Sequence, residues 1–581
     1  MAVVGIDLGT TNSLVAAFVD GESILIPNSN GGFLTPSVVS LSESGEIIVG
    51  TAAKDRLISS PDFTASLFKR QMGSTKQIKL GRKTFQPEEL SSFILRQLIK
   101  DAESFLGEPV TEAVISVPAY FNANQRAATK LAGNLSGVKA ERLINEPSAA
   151  ALACRNWDKD EIFIVIDFGG GTLDVSIVET FDNIVNVCSI SGNNMLGGTD
   201  FDHAIAAEVC AIHEWDIHSL PAHEYQALLK AAETAKIQVG VSDEAIVTAS
   251  IHGNRVDYLL TGNSLFHMSQ RIFESLKKPI KLAVQDSGLA ISDIDKCILV
   301  GGSCRMPIVQ DFLSGQLRVP VTYSEDTDKI VAVGLGTYVG IKQRMGEVKD
   351  LVLTDICPFS LNIGTYNHTD PSRNLSSVMI PRNTALPASR TSRFFNVEMG
   401  QTKINVPINQ GEAIYADDNT KLGELNVSVP RNKQNHEAID VTFTYDINAI
   451  LAVQVKAVST GKEYQLVIAG KGLSIPEHQL DKYVENIQKM KLAHFERMDL
   501  LLEHAKRIYT EVGEDLKQHM QDIVLALESV NTNGSIRKAN DKLDEIEGIL
   551  NDIEKNLNGS DIFNKMPVYL RLIKKSSRDE D

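Results

Sequence analysis

The motif that most constrains this chain is written twice. Near the start, Val3-Val4-Gly5-Ile6 runs into Asp7-Leu8-Gly9-Thr10-Thr11, and far downstream Ile164-Val165-Ile166 runs into Asp167-Phe168-Gly169-Gly170-Gly171-Thr172, followed by Leu173-Asp174. In each copy a short apolar strand ends at a carboxylate and a glycine-rich turn. The bare backbone N–H groups of such a turn can approach phosphate oxygens while the carboxylate holds a hydrated metal ion. Two copies predict two similar halves gripping one nucleotide from opposite sides. A third strand, Ile298-Leu299-Val300, enters Gly301-Gly302-Ser303-Cys304-Arg305-Met306-Pro307, a glycine pair suited to a flat base and ribose lying against backbone. One Asp-x-Gly turn is a modest signal, but three such turns in one α/β unit indicate a nucleotide site. The phosphate loop Gly-x-x-x-x-Gly-Lys-Ser/Thr and the dinucleotide fingerprint Gly-x-Gly-x-x-Gly are both absent from the chain.

Length and composition set the frame around this site. At 581 residues the chain predicts roughly three or four domains. Apolar residues at 43% and charged residues at 23% are ordinary globular values, no apolar run is long enough to span a bilayer, and the N-terminus carries no leader-like segment. A soluble protein that is not exported is expected. Six cysteines (Cys154, Cys188, Cys210, Cys297, Cys304, Cys357) are scattered without a Cys-x-x-Cys pair and read as reduced thiols, which points to the cytoplasm. A formal charge of −17 disfavours a nucleic-acid or anionic-membrane partner, since phosphate neutralisation needs concentrated Lys and Arg.

Texture divides the chain into three. To about residue 345, strand-like runs such as 113–117 and 297–300 alternate with helix-period segments such as 124–137 and 268–288, the α/β signature. From Cys357 to Ile468 the period becomes two, with inward sets such as Ile439, Val441, Phe443, Tyr445 and Leu451, Val453, Val455, so an antiparallel β unit is expected. After Gly472 the period is helical, with stripes Leu480, Tyr483, Val484, Ile487, then Leu516, Met520, Ile523, Leu527, then Leu543, Ile546, Leu550, Ile553, Leu557. These stripes are expected to pack against one another as a small bundle, with a frayed charged end at 574–581. Between the first two parts, Asp350-Leu351-Val352-Leu353-Thr354-Asp355 is too apolar for a solvated linker. It is either an edge strand of the β unit or a segment that a second surface receives.

The chain resembles the 70-kDa heat-shock chaperone family, the DnaK-like proteins, over nearly its whole length. The resemblance is carried by Gly5 through Ser13, Val117-Pro118-Ala119-Tyr120-Phe121-Asn122, Ile144-Asn145-Glu146-Pro147-Ser148-Ala149-Ala150, Asp167 through Asp174, Leu196-Gly197-Gly198-Thr199-Asp200-Phe201-Asp202 and Gly301-Gly302-Ser303. The compact form looks most like the short HscC-type bacterial members. The resemblance implies an actin-like duplicated α/β ATPase domain at 1–348, an apolar linker at 349–356, a β-sandwich peptide-binding domain at 357–471 and an α-helical lid at 472–581. It implies ATP/ADP, Mg2+ and K+ as ligands, unfolded or extended polypeptides as clients and a J-domain co-chaperone as partner.

Carried over by position, the resemblance makes Lys69, Glu146, Asp167 and Thr172 catalytic, with Lys69 holding the attacking water and offsetting charge at the γ-phosphate. Asp7 and Asp167 correspond to the carboxylates around hydrated magnesium, and Asp174 to a position near monovalent cations. Gly9, Thr10, Thr11, Asn12 and Gly169, Gly170, Gly171 correspond to the phosphate loops, while Gly197, Gly198, Glu233, Lys236, Gly301, Gly302, Ser303, Arg305 and Asp328 fall around the rest of the nucleotide. Ile363, Tyr366, Phe394, Val397, Ile404 and Val406 fall where the family lines its peptide pocket, Tyr366 and Val397 as arching arms, although alternation alone would make several of them sandwich-core residues. Pro118 and Arg126 match a nucleotide-sensing pair, Arg142 and Asp355 a charged pair across the domain junction, and Leu351, Val352 and Leu353 the segment that docks into the ATPase when ATP is bound.

The sequence departs from the family pattern at four places. Gly240 stands where a serine would contact the base, Asp326-Thr327-Asp328-Lys329 replaces an acidic-proline stretch, Asp446-Ile447-Asn448-Ala449-Ile450-Leu451 lacks its glycine turn, and the loop around 76–83 is shortened. These bear on base contacts, peptide preference and the nucleotide-exchange partner. A small-molecule kinase, an actin-like filament ATPase and a holdase without turnover are the competing readings. The first two have no use for the trailing β and helical segments, and the third for the full set Asp7, Lys69, Glu146, Asp167 and Thr172.

Overall fold

The computed structural model describes residues 1–156, 159–323, 326–448, 450–468, 477–512, 514–530 and 536–557. Two sheets of the same plan organise the α/β part. In the first, Lys139–Asn145, Val110–Val117 and Ala2–Asp7 run parallel, and Asn12–Val19 and Glu22–Ile26 continue antiparallel from Ala2–Asp7. In the second, Val321–Tyr323, Lys296–Val300 and Glu161–Phe168 run parallel, followed antiparallel by Leu173–Phe181 and Ile184–Asn193. The central strands are covered on both faces, which is why Val3 through Ile6 and Ile164 through Ile166 read as unbroken apolar runs. Each central strand delivers its terminal aspartate, Asp7 or Asp167, to the same end of its sheet.

The two lobes are held at close range by a pair of crossing helices, Glu146–Cys154 and Ile330–Lys342. A Cβ at Gly334 would lie 1.7 Å from the Ala149 carbonyl oxygen, so only glycine permits this approach.

The segment 350–355 is an edge strand, but of the α/β part and not of the β unit. Val352–Thr354 pairs in parallel with Ile184–Asn193, extending the second sheet. Leu351 is 5% exposed and joins the core between the lobes, Leu353 packs partly against it, and Val352 stands half exposed. The β unit that follows has two four-stranded antiparallel sheets. One contains Leu375–Ile380, Leu361–Thr365, Lys403–Gln410 and Thr420–Ser428, and the other Ala388–Phe395, Ala438–Tyr445, Leu451–Ala457 and Glu463–Ile468. The period-two residues Val441, Phe443, Tyr445, Val453 and Val455 fill the space between them.

This sandwich sits on both lobes. Arg382 pairs with Asp286 at 2.7 Å on the second, Gln410 accepts from the Ala123 N–H at 3.0 Å on the first, and the Tyr120 and Phe359 rings lie 4.3 Å apart at the junction.

The helical end differs from the expectation in one respect. Arg497–Glu511, Glu514–Glu528 and Ile536–Leu557 form a bundle around Leu501, Ile508, Met520, Ile523, Leu527, Ile546 and Leu550. The earlier helix Glu477–Gln488 does not join it. Its Tyr483, Val484 and Ile487 pack instead on the core of the first lobe, with the helix lying against Ala123–Ser136. Just beyond, the Ala493 N–H donates to the Ile47 carbonyl at 2.7 Å and the Ile47 N–H to the Lys491 carbonyl at 2.9 Å, so the chain adds itself to a sheet edge. The sequence end at 574–581 and Leu480's side chain lie outside the described residues. Among the described residues no helix is long and apolar enough to cross a membrane.

Candidate active site

The two aspartate-tipped strands face each other across a cleft of about 540 Å³. Asp7, Gly9, Thr10, Thr11 and Asn12 line it from the first lobe, and Asp167, Gly169, Gly170 and Thr172 from the second. Lys69 and Glu146 lie at its floor, and Gly198, Glu233, Lys236, Gly301, Gly302, Ser303, Arg305 and Asp328 line the remaining wall. Gly171 and Gly197 belong to the same loops, which are stitched together by backbone hydrogen bonds from Gly198 to Gly169 and from Thr199 to Gly170, both 2.9 Å. Residues separated by some 300 positions thus converge on one volume.

The electrostatics of the floor are lopsided. Lys69 Nζ donates to Glu146 Oε1 at 2.7 Å with both side chains almost fully buried. Around this pair stand Asp7, Asp167 and Asp174, all withdrawn from water. Burial pushes the Asp7 carboxyl up to about 7, with Glu146 adding to the shift and Lys69 and Ser116 opposing it. Asp167 is raised well above the carboxylate range by burial, then by Glu146, Asp174 and Asp7, and Asp174 rises to about 8 by burial and Glu146.

One lysine cannot compensate four carboxylates in low dielectric, so the set is built to receive positive charge. Asp174 offers a direct sign of this: one oxygen accepts from the Tyr120 N–H at 3.0 Å, while the other, fully buried, has no protein partner. Among the described residues no three acidic, imidazole or thiol groups stand close enough to ligate one ion. A hydrated divalent cation fits this set, since each carboxylate can reach it through a water.

The rest of the geometry orients these groups. Ser116 donates to Asp7 Oδ1 at 2.7 Å, fixing that carboxylate. Arg70 donates to the Gly171 carbonyl at 2.8 Å and pairs with Asp200 at 2.7 Å, holding the second glycine-rich turn. Lys236 pairs with Asp202 at 2.7 Å and donates to the Gly198 carbonyl at 2.9 Å, while Lys54 reaches Glu233 across the mouth at 3.1 Å. Ser303 donates to the Gly169 carbonyl at 2.8 Å, and Arg305 is held by Asp328 at 2.8 Å. Gly240 lines the cleft beside Ile237 and Val241. Ser116, Arg70, Asp200, Asp202 and Lys54 were not assigned from sequence. Arg70 follows Lys69 directly, and the two aspartates lie in the 196–202 motif, so their signal was adjacency to residues already singled out.

Gly301 shows why the third loop needs glycine. Its φ is +87°, and a Cβ there would lie 2.6 Å from the Phe168 carbonyl oxygen and 2.9 Å from Asp167 Oδ1. Gly301→Ala is expected to destabilise the second lobe by about 1–3 kcal/mol, the cost of a forced backbone conformation, read as a lower urea midpoint for its transition. A wild-type midpoint would show that the loop relaxes freely.

A relay leads from this floor to the domain junction. Arg126 donates to the Phe121 and Ala119 carbonyls at 3.1 and 3.0 Å, in the turn that begins at Pro118, and to Asn145 Oδ1 at 2.6 Å. Asn145, next to Glu146, donates in turn to Asp355 Oδ1 at 2.5 Å. The expected Arg142–Asp355 pair is not formed. Arg142 turns instead to the Tyr338 hydroxyl at 3.1 Å and to the Ile447 carbonyl and Asn448 of the β unit, while Asp355 Oδ1 accepts from Asn145.

The missing glycine turn at 446–451 has its explanation here. Asp446 Oδ1 accepts from the Asn448 and Ile450 N–H groups, both at 2.8 Å, so a side chain shapes the turn and presents the Ile447 carbonyl to Arg142. Of the six peptide-pocket positions, Ile363, Ile404 and Val406 are buried in the sandwich core, Phe394 packs partly against it, and Tyr366 and Val397 are exposed.

A family model described as "Hsp70 protein" matches residues 3–80 and 74–567. The chain is 37% identical over 577 residues to the chaperone protein DnaK of Thermosipho africanus, covering 96% of this chain and 93% of that protein. To the chaperone protein DnaK of Thermosipho melanesiensis it is 36% identical over 576 residues, with the same coverage of both chains.

Proposed function

From the premise that this chain belongs to the Hsp70 protein family, we propose that the cleft between its lobes is the ATP site that controls a peptide clamp in the β-sandwich. The protein is an ATP-dependent molecular chaperone and an ATPase. We assign the ATPase to 1–348, the linker to 349–356, the clamp to 357–471 and the lid to 472–581. Magnesium, when bound with ATP, neutralises charge on the β- and γ-phosphate oxygens.

The chain's own residues do the rest. Asp7 and Asp167 would hold that ion, and the backbone N–H groups of both glycine turns would cradle the phosphates. Lys69, positioned by Glu146, orients the attacking water, and the Thr172 hydroxyl faces the γ-phosphate. Asp174, with its unpartnered oxygen, is the position for K+. Glu233, Lys236, Ser303 and Arg305 take the ribose and base.

The observation that carries the coupling is one of connectivity. Val352–Thr354 belongs to the sheet whose central strand Glu161–Phe168 carries Asp167, so the phosphate loop and the chain leading to the clamp share one hydrogen-bonded unit. Binding that favours closed lobes therefore favours a docked linker as well, which is the differential interaction that shifts a two-state equilibrium.

Clients are extended apolar segments of unfolded polypeptides, for which Tyr366 and Val397 stand open to solvent beside the sandwich. A J-domain co-chaperone acting at the junction of Arg142, Asn145 and Asp355, an HscC-type subgroup and a cytoplasmic setting complete the reading. The test is a stopped-flow chase of a labelled apolar peptide. ATP is expected to accelerate its release relative to ADP, and identical release in both nucleotides would sink the coupling.

A further inference from the structure

The helical bundle touches more than the first lobe. Arg507, 4% exposed on Arg497–Glu511, pairs with Asp55 of the first-lobe helix Thr51–Ser59 at 2.6 Å and with Glu554 of Ile536–Leu557 at 2.7 Å. Glu554 also pairs at 2.8 Å with Lys230, which lies on the second-lobe helix Ala222–Ser242 that carries Glu233 and Lys236. Glu511 reinforces both cations, at 3.0 Å from Arg507 and 3.3 Å from Lys230. His504 Nε2 meets Glu554 at 2.9 Å. Asp55, Arg507, Glu554 and Lys230 thus form one series of ion pairs from lobe to lobe, passing through the lid. These lid residues roof a cavity of about 310 Å³ whose floor includes Thr10 and Thr11 of the phosphate loop.

We propose that the docked helical bundle is a strap across the mouth of the nucleotide cleft, holding the two lobes together and slowing nucleotide departure until the lid lifts. Ion pairs this withdrawn from water are screened little by salt and fix geometry, whereas exposed surface pairs contribute almost nothing. Two other links across the cleft are named above, the more exposed Lys54–Glu233 pair and Arg70–Asp200 at the second glycine turn; the strap is the one that depends on the position of the lid. Lid position and nucleotide exchange become coupled by the same contacts, in addition to the coupling through the linker. The inference rests on the cleft being the nucleotide site.

The test measures dissociation of a fluorescent, non-hydrolysable ATP analogue from the full chain, chased with unlabelled ATP. Lys230→Ala breaks the series on the second lobe and Asp55→Asn on the first. Neither residue is in the proposed catalytic set, and each is partly buried on a helix of its own lobe, Asp55 on Thr51–Ser59 and Lys230 on Ala222–Ser242. Each single change is expected to speed dissociation about tenfold, equivalent to about 1.4 kcal/mol. The double variant is expected to be no faster than the faster single one, since a series link is broken only once. Unchanged rates overturn the strap, and so does a double variant whose effect is the product of the two singles, which would mark two unrelated local contacts. A wild-type chain that binds no analogue would remove the nucleotide reading and the strap with it.

Discussion

Lys69→Ala is expected to lower ATP turnover by about a hundred- to a thousandfold while nucleotide binding survives, the loss found when one preorganised donor is removed from a developing oxyanion. The argument is geometric and electrostatic. Lys69 is the cation at the cleft floor, buried beside Glu146 and surrounded by three further withdrawn carboxylates. In that low-dielectric setting its ammonium acts on the γ-phosphate far more strongly than a solvated charge would. On the proposed reading, affinity rests on other groups that line the same cleft, the two glycine turns and the wall of Glu233, Lys236 and Arg305. Single-turnover hydrolysis beside equilibrium binding of the same nucleotide separates the two quantities. Turnover unchanged in the variant removes the catalytic assignment, and lost binding would move Lys69 from chemistry to affinity.

Replacing Leu351 and Leu353 together by aspartate is expected to abolish the acceleration of peptide release by ATP. Leu351 is buried between the lobes and Leu353 packs against the same core, with the strand hydrogen-bonded to Ile184–Asn193. An unpaired carboxylate taken into such a site costs several kcal/mol, so the docked state becomes more than about a hundredfold rarer at the same nucleotide occupancy. Because neither residue lines the cleft, ATP still binds. Peptide release that kept its response to ATP would show that coupling runs elsewhere, for example through the Arg126–Asn145–Asp355 relay alone.

Several features of this molecule are short-range and therefore legible in the sequence. The paired strand–Asp–Gly turns can be read because a strand buried on both faces must be continuously apolar and a turn approached by phosphate must lack side chains. The sandwich can be read because pleating forces period two, and the bundle because helices force a period near 3.6.

The helix Arg497–Glu511 was harder to see, and its sequence explains why. Glu503 and Arg507, the second of them a member of the strap, are buried on it among Leu501, Ala505 and Ile508, so charges interrupt the apolar stripe that would have announced the helix. The same limit applies to Asn145, whose place in the 144–150 motif was plain while its bond to Asp355 was not.

What the sequence determined by itself is which segments must be buried and which turns must stay bare, since both follow from each residue's own chemistry and the local geometry of the backbone. Tertiary structure alone decided the partners. The stripe around Tyr483 and Ile487 packs on the first lobe and not on the bundle, the apolar linker extends the second lobe's sheet, and Arg142 finds a carbonyl of the β unit in place of Asp355. An apolar face or a charge declares only that it needs covering. Which of many chemically equivalent surfaces covers it depends on how elements hundreds of residues apart are brought together, and that is a property of the whole packed chain.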